Sequence, residues 1–518
     1  MHNHKMPTQT ADDIRDSLSQ VLDTHADDLI RDTVRIIGFE TVSGGTAEQE
    51  AKYQTEIPAC LRWLKQRAEA MGFTYREWEG QVAEIEWAIP ASRDGEKRPS
   101  MGIAAHIDVV TPVGTWKHGP YKGEIENGIL YGRGIQDDKG PLIQALYGMY
   151  AAKEAGITPP CDVRLIIGTS EETGDWSDIA LYLRERGAPD YSFTPDADFP
   201  IITGEKGIMN VRVRAQWEHL GPHPETQMEF VSLKGGERTN IVPALAEAIL
   251  RFPVEAKHVV MKEMVRETTR FTVENVDSNI TLVPNNEAES EAVGYYESLI
   301  SFIGKSAHSS TPAKGHNAIV DALRFFSDIE TLPPPVRAFV QFLAFIGSTS
   351  DGTNLQINST HPFVGDTTAV MSLLEISQKG GWANMNIRPT MGFPCVGVMD
   401  KVKEAARSFS DLSGLQIEVV ETERLLDAIF LDPSMPGVDG FLRSLQTAYE
   451  MVTGEKGEMR AIGGTTYAKA LPNCCAFGPV KMGVDEELAH QADEHLAVAS
   501  IHRNALIYGL SIALMGFA

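Results

Sequence analysis

The stretch between residues 81 and 169 restricts the fold of this chain more than any other. Residues 81–87, 101–106 and 163–169 are apolar runs of strand length, and residues 142–155 carry apolar spacing of helix length. The order strand, strand, helix, strand predicts a mixed or parallel sheet covered by helices. Catalytic loops of such sheets lie at the carboxyl ends of the strands. His106 and Glu171 fall just there. Upstream, between Asp13 and Met71, the spacing of Leu18, Leu22, Leu29, Ile30, Val34 and Ile37 predicts amphipathic helices. They are interrupted near Gly38 and by the Ser43-Gly44-Gly45 loop.

After the Gly204-Glu205-Lys206-Gly207 run the texture changes. Residues 208–217, 271–276, 297–303, 370–375 and 382–388 alternate as strands, with helices between them. A helix at 438–453, a short buried strand at 476–477 and a helix at 496–518 then restore the first texture. The chain therefore divides into a first part at 1–205, an inserted α+β domain at 206–425, and a second part at 426–518 that completes the first. A length of 518 residues suits two or more domains with sizeable cores. The prolines at 333–335 predict a stiff linker.

Composition excludes some partners. Lys and Arg number 46 against 71 Asp and Glu, and the net charge of −25 repels phosphate backbones and anionic membranes. The apolar C-terminal run 505–518 falls short of the roughly twenty residues that span a bilayer and predicts a buried closing helix. Five cysteines without a CxxC pair read as reduced thiols of a cytoplasmic protein. The first twenty residues contain no apolar core of a secretory signal, and His2 and His4 read as part of a solvated tail.

Metal-type side chains recur after strands or before helices: His106 with Asp108, Asp137-Asp138, Glu171-Glu172, Asp196 with Asp198, and His490. Each alone suits a turn or a solvated helix start; their joint placement points further. Period two puts His106 and Asp108 on one side of a strand, and a carboxylate on the second nitrogen of a ligand histidine is a common supporting arrangement. Mixed imidazoles and carboxylates suit a borderline divalent cation, Zn²⁺ first and Mn²⁺ or Co²⁺ next. The absence of cysteine from the set speaks against a structural zinc. Adjacent glutamates can divide the work, one ligating while its neighbour deprotonates water.

Rival motifs fail. Gly304-Lys305-Ser306 lacks the earlier glycine of a phosphate loop, Leu299 standing in its place. No HExxH occurs, and His495 reads as ordinary helix packing. Gly132-Arg133-Gly134 lacks the GxGxxG pattern and reads as a loop that turns Asp137 inward.

The ordered strings AAHIDVV, GRGIQDDKG, IIGTSEET, PDADFP, GEKG, GGERTNIVP, GKSAHSSTPAKGHNAI, NIRP, GGTTYAK, NCCAFGP and AHQADEH resemble the co-catalytic zinc exopeptidases. That family includes peptidase V, carnosinase, acetylornithine deacetylase and succinyl-diaminopimelate desuccinylase. Within it the chain is most similar to the peptidase V type of dipeptidase, over about residues 80 to 500. The resemblance implies a zinc-exopeptidase-like α/β catalytic domain, a mixed sheet between helices, with an inserted α+β lid. It implies one zinc on His106, Asp196 and a bridging Asp137, and another on Asp137, Glu172 and His490. Asp196 is preferred over Asp198 because it follows the DYSFTP stretch as the family's ligand does.

Asp108 would orient His106, and Glu171 would be the general base. His308 would polarise the scissile carbonyl, and Arg388 would clamp the substrate's terminal carboxylate. Asn240, Gly464 and Thr465 would line the same pocket. The family's GGGTY segment departs here to Gly463-Gly464-Thr465-Thr466-Tyr467, which alters the backbone approach to substrate. The implied activity is hydrolysis of dipeptides by a hydroxide held between two divalent ions, in a monomer whose long lid supplies His308 within one chain. N-acyl amino-acid deacylation is the alternative within the family. A non-catalytic metal-binding protein is a remote one, since it would leave Glu171 without a task.

Overall fold

All seven residues of strand Ser100–His106 are buried, as a strand covered on both faces requires. It pairs in parallel with Asp162–Gly168 on one side and Tyr191–Thr194 on the other, and Cys474–Ala476 continues the parallel run. Val82–Trp87 and Thr74–Trp78 extend one side as antiparallel strands, and Ile201–Glu205 pairs antiparallel on the other. The result is a nine-stranded mixed sheet. The computed structural model describes residues 10–89, 98–222, 228–256, 262, 264–269, 271, 279–284, 295–421 and 425–515.

Helices Ala11–Thr24, Ala26–Ile37, Ala47–Ala70, Lys139–Glu154 and Ser177–Glu185 accompany this sheet, with Val438–Thr453 and Val498–Ala513 from the end of the chain. Lys139–Glu154 is buried nearly all round and packs on Val498–Ala513. The approach is close enough that a Cβ on Gly148 would stand 2.7 Å from the Gly509 nitrogen, so side-chain-free residues are needed at the crossing. The predicted closing helix is thus present and buried, but it begins only at Val498. Residues His495–Ala497 form a strand against Ile129–Tyr131. His495 is therefore a strand residue, with its ring 5.0 Å from Tyr131, and not part of helix packing as its spacing suggested. The short strand expected at 476–477 lies at Cys474–Ala476.

The chain forms two compact units, residues 1–204 with 430–518, and residues 205–429. The second unit carries an eight-stranded sheet in the order Asn279–Pro284, Tyr295–Ile303, Leu245–Pro253, Glu229–Gly235, Thr368–Ser377, Gly380–Arg388, Met209–Gln216, Ile417–Glu421. Every neighbouring pair is antiparallel. From Val211 onward strand Met209–Gln216 alternates: Val211, Val213 and Ala215 are buried, while Arg214 and Gln216 are exposed. The buried face packs with helices Ala318–Ser327, Pro334–Gly347 and Cys395–Ser413. This makes the fold an α/β unit, a mixed sheet among helices, with an α+β unit inserted in it.

Two local expectations change here. Pro334 opens a helix instead of a linker, because the first helical turn has no use for the missing N–H. Of the strand expected at 271–276, Phe271 is helical and residues 272–276 lie outside the described residues.

Candidate metal centre and substrate-binding residues

Three parallel strands deliver the first group of side chains to one edge of the sheet. His106 ends strand Ser100–His106, Glu171 and Glu172 follow strand Asp162–Gly168, and Asp196 follows strand Tyr191–Thr194. Asp137 comes from the loop before helix Lys139–Glu154, and His490 from the segment before strand His495–Ala497. The ligand atoms form two groups, His106 with Asp137 and Asp196, and Asp137 with Glu172 and His490. Asp137 is common to both. Its Oδ1 lies 3.0 Å from His106 Nε2 and its Oδ2 lies 3.0 Å from His490 Nε2. Asp196 Oδ2 stands 3.7 Å from His106 Nε2, and Glu172 Oε2 stands 3.1 Å from His490 Nε2.

The chemistry of this arrangement asks for a cation. His106 Nδ1 lies 2.9 Å from the Asp108 carbonyl oxygen, which can only accept, so Nδ1 carries a hydrogen and Nε2 is the atom left to meet a cation. That buried Nε2 faces the carboxylate oxygens of Asp137 and Asp196. Burial, followed by the negative charge of Asp137, pushes Asp196 up to about 7. Burial and the charge of Asp196 push Glu171 well above the usual carboxylate range, and burial and the charge of Asp137 raise Glu172. Burial acts on Asp137 in the same sense, but the His106 and His490 imidazoles beside it hold it well below the ordinary value. Two imidazoles and three carboxylates without sulfur fit borderline divalent cations.

The loops around the cluster are pinned by buried carboxylates. Asp108 flanks the His106 ring with two groups, its backbone carbonyl 2.9 Å and its Oδ1 3.4 Å from Nδ1. The carboxylate also accepts from the Glu171 and Glu172 backbone N–H groups at 3.1 and 3.0 Å and from Ser43 Oγ at 2.8 Å. It thereby fixes the turn that presents both glutamates. Glu494 holds the Asp137 loop, accepting from the Gln136 N–H at 2.8 Å, from the Gly134 N–H at 3.2 Å and from the Arg133 guanidinium. Gly134 takes φ +90 in a turn where a Cβ would stand 3.1 Å from Lys139 and Val109. His490 also lies in the left-handed region, at φ +64, a conformation that non-glycine residues adopt mostly where surrounding structure enforces it.

Several contributors escaped the sequence reading. Asp178 is fully buried and accepts from the Thr169 and Ser170 N–H groups at 2.7 and 3.0 Å and from the Tyr467 hydroxyl. Asp138, which the sequence paired with Asp137 but gave no separate role, accepts from the His106 N–H at 3.3 Å. Tyr467 stands inside the GGTTYAK string and packs edge-on to His106 at 6.0 Å, which is the one local clue among them. Gly464 and Thr465 lie in the loop leading to the short turn Tyr467–Lys469, and the Thr465 hydroxyl is buried without a partner.

In the second unit Asn240, His308 and Arg388 form a group of their own. Strand Ile241–Val242 pairs with Ala307–His308, and the Ser309 N–H donates to the Asn240 carbonyl at 2.9 Å. Arg388 ends strand Gly380–Arg388, only 3% exposed, and its Nε donates to Ser309 Oγ at 3.2 Å and to Asn386 Oδ1 at 3.1 Å. Partial desolvation of its ring and the Arg388 charge lower His308, itself solvent-exposed, to about 4.

The model of peptidase family M20/M25/M40 matches residues 102–513. The chain belongs to this family. A Bacillus subtilis relative named "Putative dipeptidase YtjP" is 31% identical over 496 residues, covering 94% of this chain and 96% of that one. A Staphylococcus aureus relative, "Putative dipeptidase SAR1836", is 26% identical over 487 residues, covering 93% and 96%. Among solved structures, human carnosine dipeptidase 1 superposes with a TM-score of 0.56 at 15% identity, covering 98% of this chain and 99% of that one. The Saccharomyces cerevisiae dipeptidase Dug1p does so with a TM-score of 0.54 at 13% identity, covering 97% and 98%. These two share the fold of this M20/M25/M40 peptidase. The resemblance carried by the sequence strings is thereby borne out, and the chain is a metallopeptidase.

Proposed function

We propose that this M20/M25/M40 peptidase hydrolyses dipeptides with a free C-terminal carboxylate. The observation that carries the reading is Asp137, whose two oxygens each face a different imidazole nitrogen, the arrangement a carboxylate needs to join two cations. His106, Asp137 and Asp196 would hold one divalent ion, and Asp137, Glu172 and His490 the other, with Zn²⁺ preferred and Mn²⁺ or Co²⁺ acceptable. When bound, such ions supply Lewis acidity toward the peptide carbonyl and acidify water.

Glu171, which ligates nothing in this scheme, accepts the proton of the attacking water and returns it to the leaving amine. A carboxyl already pushed upward by burial is suited to holding that proton between the two steps. His308 acts as a neutral donor to the scissile carbonyl, a role compatible with its depressed pKa. Arg388 receives the terminal carboxylate through its planar fork, with Asn240, Gly464 and Thr465 lining the substrate's path. The second unit serves as the lid, residues 206–425 supplying His308 within the same chain, so that the monomer is the active species. All five cysteines are buried free thiols, which suits a reducing, cytoplasmic compartment. Among the described residues no helix is long and apolar enough to cross a membrane.

The test is a hydrolysis panel of free dipeptides, C-terminally amidated dipeptides, tripeptides, and N-acetyl and N-succinyl amino acids. Dipeptides with a free carboxylate should be turned over fastest. Faster turnover of the N-acyl amino acids would instead make the chain a deacylase, and no turnover of any substrate by the metal-loaded protein would remove the enzymatic reading.

A further inference from the structure

Arg388 does not stand alone in the second unit. Its Nε–H is shared between Ser309 Oγ and Asn386 Oδ1. The Ser309 hydroxyl in turn donates to Asn386 Oδ1 at 2.7 Å, so the three groups close a triangle in which each hydrogen has an acceptor. Asn386 Nδ2 donates onward to Asn210 Oδ1 at 3.1 Å. Asn384 Nδ2 reaches the same oxygen at 3.2 Å and Ser372 Oγ at 3.0 Å. Ser309, Asn386, Asn384, Asn210 and Ser372 are all at most 2% exposed. A row of buried neutral polar groups on adjacent strands costs desolvation, the more so because Asn384 Oδ1 has no hydrogen-bond partner among the described residues; a core serving only stability would hold aliphatic residues there.

The row ends on the one guanidinium that the functional reading uses. An arginine side chain has four rotatable bonds, and a fork aimed at a carboxylate loses entropy unless its plane is fixed beforehand. A bifurcated bond at Nε fixes that plane. Ser309 also follows His308 directly in the chain, and its N–H is bonded to the Asn240 carbonyl. One serine therefore ties the segment bearing His308 and Asn240 to the strand bearing Arg388.

We propose that Ser309 and Asn386 are positioning residues that set substrate specificity by fixing the Arg388 fork for a terminal carboxylate. The proposal rests on the reading of Arg388 as the carboxylate clamp. Its test compares a free dipeptide with the same dipeptide amidated at its C-terminus, in the metal-loaded full chain. The variants are Ser309→Ala, Asn386→Ala, Ser309→Thr and Arg388→Lys, and metal content is checked in each. Binding of a reduced-bond, uncleavable dipeptide, free or amidated, is followed calorimetrically.

In Ser309→Ala and Asn386→Ala, KM for the free dipeptide and Kd for the free analogue should rise about tenfold, the scale of a lost bond to a charged group. Values for the amidated forms and kcat should move less than about threefold, and Ser309→Thr should recover most of the loss. A merely structural role would lower the active fraction for both substrates alike and leave the preference for the free form unchanged; that result overturns the proposal. Should a variant fail to fold, the same comparison in the other carries the decision. If Arg388→Lys keeps the full preference for the free form, the clamp reading itself fails and the proposal with it. If Arg388→Lys loses the preference while both alanine variants keep it, only the positioning role is wrong.

Discussion

Tyr467→Phe removes one hydroxyl and nothing else, which makes it the cleanest probe of how the glutamate turn is held. The hydroxyl donates to Asp178, and both residues are fully buried. A hydrogen bond to a charged group contributes about 1.5–3 kcal/mol. The Asp178 carboxylate would keep the Thr169, Ser170 and Ile179 N–H groups, so the loss belongs near the lower end, about 2 kcal/mol. For a unit of this size that corresponds to roughly a 4 °C fall in Tm, read by scanning calorimetry on the metal-loaded protein. Burial raises Asp178 and the tyrosine bond opposes that rise, so removing the bond pushes the carboxyl higher still. The penalty attaches to the ionised carboxylate, and the fall in Tm should therefore be larger at pH 8 than at pH 5. Because Thr169 and Ser170 lead directly into Glu171, kcat should fall with Tm while bound metal stays constant. A Tm unchanged within 1 °C or so, or a deficit that grows toward acid pH, would refute this account of the Asp178 cluster.

Glu171→Gln should lower kcat by about 10²–10⁴-fold with metal content unchanged, whereas Glu172→Gln should lose metal; the reverse pattern in elemental analysis exchanges the two roles. Chelation should abolish hydrolysis and lower Tm, with Zn²⁺, Mn²⁺ or Co²⁺ restoring both, since a ligand at a thousandfold excess over its Kd stabilises by about 4 kcal/mol. Full activity in a metal-free sample contradicts the metal centre. Partial desolvation and the Arg388 charge lower the solvent-exposed His308 to about 4 in the folded chain, against about 6.5 when unfolded. Between these values the unfolded chain binds the extra proton, so this group's contribution to stability is lost as pH falls from 6.5 toward 4. His308→Gln should flatten that fall in urea midpoints measured at pH 4.5 and 7, and an unaltered slope would contradict the shift.

Local pattern was enough to name His106, because an apolar strand run ending in a histidine announces its own position on a sheet edge. The same holds for helix Val438–Thr453, whose observed bounds are those its spacing predicts. The ordered strings then named Asp137, Glu172, Asp196 and His490, and the folded chain gathers these with His106 into two groups sharing Asp137. What holds the groups in place was not legible. Tyr467 and Asp178 are 289 residues apart, and Glu494 lies 358 residues from the Gln136 N–H that it accepts. Asp108 stands beside the His106 ring as the two-residue spacing suggests, but its carboxylate also serves backbone groups 63 and 64 residues away, which spacing does not announce. His495 and Pro334 were misread for a related reason, since the partner strand of one and the helix begun by the other are set by packing. Side-chain periodicity and turn chemistry act over a few residues and can be read from the chain. A buried carboxylate takes whichever donors the sheet order brings within 3 Å or so, and only the tertiary path decides which those are.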